Sequence, residues 1–417
     1  LFAHDDQSFG DDSDESIIKC GSYTGDGGAG TTEVNLGFEP QWILVKATSA
    51  ADNWFIIDNM RGWATESNTS NDAYLLPNAS NAESTGGFLD ITATGFKTTL
   101  FSNVNVSGRT YAYVAIRRPM KTPEAGTEVF ASSYNQEVAS ATSGFYSGFP
   151  VDLAIKRIIT ASQPNYIFDR LRGARSLRTD NTSTEGGFGA AEFDHQEGFY
   201  YDDDSSNTND ISWMFKRGTG FLDIVAYTGT GGTGTQSHNL GVTPELMIFK
   251  RRTDAVAWLV YSAPTTASKF LELNDTAAAQ TDANFLNGAP TSTLINTGSN
   301  TNQSTKGYIA YLFATLDGVS KVGTYTGTGS DINVDCGFSA GARFVLIKRT
   351  DSSSNWYLFD SIEQGIVAGN DPYIQINNTN AQTTGQDSID PLSSGFTVTA
   401  AADVNQSGGS YIFLAIA

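Results

Sequence analysis

Four lysines, Lys46, Lys156, Lys250 and Lys348, each close an apolar run, and Trp54, Tyr166, Trp258 and Trp356 follow them at near-constant distance. An amine beside an indole and a carboxylate such as Asp58, Asp169 or Asp360 has the group types for proton transfer or for stacking on a sugar ring. The repetition argues for structure instead. Indoles inside apolar runs at matching places contribute large burial area to a core, and a lysine at a strand end snorkels or pairs with an acid. Asp58 and Asp169 precede Arg61-Gly62 and Arg172-Gly173, the pattern of an Asp–Arg pair bracing a loop; Ser262 takes the place of the acid in the third copy, and Asp360 lacks the Arg.

The remaining inventory is thin. His4, His195 and His238 occupy non-equivalent places, so no Ser-His-Asp or Cys-His set forms and no enzyme is expected. Paired carboxylates for glycoside cleavage stay open, because the chain has 45 acids and their order does not show which face each other. The densest acidic loop is Asp202-Asp203-Asp204, followed by Asn207, Asn209 and Asp210. It reads as a solvated turn, with weak calcium binding as the alternative. Exposed ligand-contact candidates that fail to repeat are Trp63 and the pair Tyr200-Tyr201. The glycine runs from Gly25 to Gly30 and from Gly229 to Gly234 lack the helix and Lys of a phosphate loop, so they read as hairpin loops. No cofactor is expected.

A chain of 417 residues exceeds what one core fills, so several domains are expected. Abundant Gly (42 residues) and only 17% charged residues suit short strands joined by tight turns. The net charge is −20, with 25 basic residues against 45 acidic ones, and no basic block offsets it, so nucleic acid, whose backbone requires clustered cations, is not an expected partner. Tyr308 to Ala314 is the longest apolar run, far short of a membrane helix. Cys20 and Cys336 lie near opposite ends and read as buried free thiols rather than a disulfide or zinc site.

Spacing fixes the organisation. The lysines stand 23, 22, 23 and 23 residues after Tyr23, Tyr134, Tyr227 and Tyr325, and the aromatics 8, 10, 8 and 8 residues after the lysines. Apolar runs such as Trp42 to Val45, Leu246 to Phe249 and Phe344 to Ile347 are short and β-rich, hence buried strands. The second copy diverges most. These intervals predict an all-β protein of four tandem antiparallel β-sandwich domains, jelly-roll or lectin-like, of about 100 residues each. The expected boundaries are an acidic arm at 1–16, a first sandwich at 17–118, a linker at 119–127, and further sandwiches at 128–217, 218–318 and 319–417.

Several stretches of the first copy resemble a repeat domain of virion proteins from tailed, especially marine, bacteriophages. They are Phe38-Glu39-Pro40-Gln41-Trp42-Ile43-Leu44-Val45-Lys46, Asp58-Asn59-Met60-Arg61-Gly62, Gly95-Phe96, and Asn105-Val106-Ser107-Gly108-Arg109-Thr110-Tyr111. The fourth copy keeps Phe344 to Lys348, Asn355-Trp356, Gly395-Phe396 and Asn405 to Tyr411. This resemblance rests on strand and turn framing and carries over no active site. It implies a structural component of the particle, of tail-fibre, tail-tip or head-decoration type, located in the virion and assembled in the host cytoplasm. The expected partners are other virion proteins and further copies of the chain. A receptor- or carbohydrate-binding adhesion protein, with a host-surface glycan as ligand, is the alternative.

Overall fold

The computed structural model describes residues 2, 4, 9, 15–28, 32–63, 72–87, 89–99, 102–137, 143–187, 191–201, 209–361 and 365–417. Most of the acidic arm and all of Asp202, Asp203 and Asp204 lie outside them. The chain divides into two compact units: Leu1–Lys121 with Arg170–Gly173 and Glu192–Asp194, and Thr122–Asp169 with Ala174–Ala191 and His195–Ala417. Apart from Arg170–Gly173 and Glu192–Asp194, the second, third and fourth expected sandwiches therefore fall together in the second unit.

The protein is all-β, built from antiparallel sheets, as the strand-length apolar runs dictate. Among the described residues four large sheets share one strand order. In the first, Ile18–Thr24 pairs with Thr110–Arg117, then come Pro40–Ala47, Trp54–Asp58, Asp72–Leu75 and Ser84–Gly86. The second, third and fourth are centred on Leu153–Ile158, Leu246–Arg251 and Phe344–Arg349. The strands of each large sheet alternate along the chain with those of a smaller one, for example Ile332–Asp335, Gly395–Val398 and Ile389–Leu392 in the last copy. The fourth core lies between such a pair: Val345, Ile347, Tyr357, Phe359 and Phe413 from the large sheet meet Val334, Ile389, Phe396 and Val398 from the small one. Two antiparallel sheets packed face to face make a sandwich.

The repeated Gly-Phe step has a direct cause. A Cβ on Gly95, Gly198 or Gly395 would collide with the carbonyl oxygen of Val34, Phe145 or Val334 on the neighbouring strand, so only glycine permits that approach. The following Phe96, Phe199 and Phe396 are fully buried in the cores. The opening tyrosines are also explained: Tyr23 stacks on Tyr111, Tyr227 on Tyr308 and Tyr325 on Tyr411, with ring centroids 5.1, 5.1 and 4.9 Å apart. Their hydroxyls donate to Val104 O, Thr301 O and Val404 O. In the second copy Tyr134 faces Ile211 across the ladder, and the stack is lost.

Two expectations need correction. The glycine runs are not hairpins: the strand before each belongs to a large sheet and the strand after it to a small one, so these loops cross between sheets. Asn105, Asn302 and Asn405 pin them, accepting from the backbone N–H of Asp26, Thr230 and Thr328. Cys336 is buried, with its thiol pushed up to about 12 by desolvation, whereas Cys20 is only half-buried.

Candidate functional site

Lys250, Trp258, Lys348 and Trp356 of the frame make contacts between sheets of the second unit. In the third sheet Lys250 donates to its own Val256 O at 2.5 Å and to Thr182 O of the second at 2.9 Å, and the Trp258 indole donates to Arg178 O at 2.8 Å. The fourth sheet repeats this on the third: Lys348 donates to Ser354 O at 2.5 Å and to Thr276 O at 2.8 Å, and Trp356 to Glu272 O at 2.9 Å. Both lysines are fully buried, and burial pulls each amine down to about 8. Carbonyl oxygens satisfy the ammonium protons that water would otherwise hold.

The second sheet makes the same contact on the fourth with different residues. Leu153, Leu246 and Phe344 face Asp169, Ser262 and Asp360 in their ladders. Counted from there, the residue in register with Lys250 and Lys348 is Arg157, which pairs with Ile211 as they pair with Ile309 and Ile412. Lys156 is thus not the equivalent lysine. It points the other way, into an ion pair with Asp210 at 2.5 Å, its ammonium 4.0 Å from the Tyr201 ring centroid. One further step along the ladder sets Asn165, not Tyr166, in the tryptophan place. Arg157 donates to Asn165 Oδ1 at 2.8 Å and to the carbonyls of Asn378 and Asn380, while Asn165 Nδ2 donates to Ile376 O and Asn378 O. Asp180 accepts the Asn165 backbone N–H, as Asn274 and Asn377 accept those of Trp258 and Trp356.

These contacts close on themselves. The second sheet grips the fourth, the fourth the third, and the third the second, always in the same sense. Backbone bonds repeat the cycle: Gln382 N to Ile159 O, Ala279 N to Thr350 O and Glu185 N to Arg252 O, at 2.8, 2.8 and 2.9 Å. Head-to-tail contacts that return after three steps define a pseudo-threefold ring. Phe130, Phe215, Phe313 and Phe344 cluster where the sheets meet, with centroid separations of 5.2 to 6.2 Å. Beside them Trp213 of the second sheet donates to Asp360 of the fourth at 2.8 Å, and Tyr311 of the third to Asp169 of the second at 2.7 Å. In the remaining pair Leu414 stands in the register of Trp213 and Tyr311. Ser262 takes the acid's place there, buried and with its hydroxyl unbonded.

The residues that sequence offers as ligand contacts fall elsewhere. Trp63 is not exposed: it is fully buried, its indole donating to Leu89 O at 2.5 Å. Tyr201 is buried too, against Lys156. Tyr200 is half-buried and lies over the His195 ring, centroids 3.7 Å apart. Asp202, Asp203 and Asp204 are outside the described residues. Trp258 and Trp356 are buried as expected, but Trp54 is 41% exposed. Asp58 and Arg61 form the expected loop brace, at 2.6 Å. Arg157 and Asn165 escape sequence reading, although one signal was present: Arg157, not Lys156, lies 23 residues after Tyr134.

No helix among the described residues is long and apolar enough to cross a membrane. No curated protein matches the chain. A match to the family described as Domain of unknown function (DUF7483) covers residues 13–119 and 130–417, nearly the whole sequence, with its break in the linker between the first and second sheets. The chain, with its four like-ordered sheets, belongs to that family.

Proposed function

We propose that this protein is a structural component of a bacteriophage particle, a tail-fibre, tail-tip or capsid-decoration protein that works by protein–protein contact. One observation carries the reading. The polar residues repeated in the second, third and fourth copies of the frame are spent on gripping the next sheet, and their donors meet backbone carbonyls that any β-sandwich offers. A fold whose recurring polar groups lock its own sheets into a rigid body suits a structural part. The phage assignment itself rests on the sequence resemblance of the first and fourth copies.

Antibody against the chain, applied to purified particles and viewed by electron microscopy, tests this. Regular label on tail or capsid is the expected result. Particles without label, or a purified chain that binds host cells while absent from particles, would overturn it in favour of an adhesion protein.

A further inference from the structure

The first large sheet has the residues of the ring but not its burial. In the fourth sheet the face turned away from the sandwich core, Phe344, Leu346, Leu358, Leu414 and Ile416, is buried. The register-equivalent residues of the first sheet are Trp42, Leu44, Ile56, Val114 and Ile116, equally apolar, and all of them are only half-buried. Burial there alternates along each strand, whereas the central strands of the third and fourth sheets are buried on nearly every residue. A contiguous apolar sheet face left accessible marks an interaction surface.

The edge beside this face also keeps the latch. Lys46 donates to Asp52 O, six residues on, as Lys250 does to Val256 O and Lys348 to Ser354 O. Its second proton goes to the adjacent Ala47 O, where Lys250 and Lys348 reach a neighbouring sheet. Asn78 accepts the Trp54 N–H at 2.9 Å, as Asn274 and Asn377 do for their tryptophans. Trp54 is 41% exposed and Leu75, next to the would-be acceptor strand end, 37%.

We infer that the first sheet assembles with the first sheets of two further copies of this chain, forming a threefold homotrimer with the geometry that the second unit builds internally. Three copies of this same face already bury one another in the second unit, which identifies the occupant. In the trimer the Trp54 indole donates to the Leu76 carbonyl of the next copy, the counterpart of Glu272 for Trp356. Lys46 exchanges Ala47 O for the carbonyl of Ser80 in that copy, the counterpart of Thr276. Backbone pairing joins Glu83 of one copy to Thr48 of another, as Ala279 joins Thr350. The trimer stands or falls independently of the particle reading, since it concerns only the chain's self-association.

The test uses the full chain. Light scattering gives three times the chain mass, and Val114→Arg reduces it to the mass of one chain with an unchanged circular dichroism spectrum. The double variant Thr48→Cys/Glu83→Cys, mildly oxidised, gives covalent trimers on a non-reducing gel, while either single variant does not. A wild-type monomer or dimer across the accessible concentration range overturns the inference. So does a trimer that survives Val114→Arg, or one that the cysteine pair fails to cross-link.

Discussion

Trp213 donates its indole N–H to Asp360 at 2.8 Å across the boundary between the second and fourth sheets, and Ser132 donates to the other oxygen of the same carboxylate at 3.3 Å. Asp360 is fully buried, with Arg343 supplying opposite charge. Asp360→Ala strands a buried indole N–H and leaves the half-buried Arg343 without its counter-charge, a loss of about 2–3 kcal/mol. The third position of the ring gives the control. The buried Ser262 hydroxyl has no hydrogen-bond partner, so Ser262→Ala leaves stability unchanged or raises it by up to ~1 kcal/mol. Urea unfolding midpoints of the two variants, compared at constant slope, check both outcomes; equal losses would contradict the ring.

The buried lysines make stability rise on the alkaline side. Desolvation lowers the Lys250 and Lys348 amines to about 8, against about 10.4 for the unfolded chain. The unfolded state therefore holds more protons between these values, and stability increases as pH climbs from about 8 toward 10.4. The contribution is fully present above the unfolded value and lost as pH falls through the folded one. The neutral amine still has two protons for its two carbonyl acceptors. Chemical denaturation at several pH values between 8 and 10 should show this slope, and Lys348→Met should reduce it; a variant slope equal to wild type would refute the assignment.

His238 acts at the other end of the scale. Leu240 N donates to its Nδ1 at 3.3 Å, so the remaining proton sits on Nε2 and is donated to Thr291 O at 3.0 Å. Burial lowers the imidazole pKa, with Thr291 and Asp223 acting against the shift. The unfolded chain takes up the proton first, near 6.5, so this stability is present above that value and drains away as pH falls toward the folded pKa. His238→Gln has no proton to gain. Its unfolding midpoint should fall less than the wild-type midpoint between about pH 7 and 5, and an identical decline in both proteins would refute the role.

Strand positions were legible because their causes are local. Gly95-Phe96 and Gly395-Phe396 announce a close strand approach followed by a core phenylalanine, and both are found there. What lies outside a sheet was not legible. The runs from Trp42 to Val45 and from Phe344 to Ile347 look alike in sequence, yet the first alternates and the second is buried on both faces, because burial of the outer face depends on a neighbour that no local pattern encodes. The same limit explains Trp54, which has the sequence setting of Trp356 without its covering sheet. Arg157 and Asn165 are hidden in sequence because the neighbouring Lys156 and Tyr166 have the residue types of the frame, although Lys156 lies on the opposite face.

Trp63 separates a binding role from a packing role. In sequence it follows Arg61-Gly62 and fails to repeat, and its acceptor, Leu89 O, lies 26 residues further on. With the side chain fully buried, Trp63→Ala removes a large core volume and should cost about 3–5 kcal/mol. Trp63→Phe keeps most of the packing and loses the indole N–H, leaving Leu89 O unbonded at about 1–3 kcal/mol. Thermal unfolding of both variants should give two graded losses. A loss of any ligand binding in Trp63→Ala then reports unfolding of the first unit, and Trp63→Phe should retain that binding. If Trp63→Ala instead unfolds like wild type, the indole is not the core residue that its burial makes it.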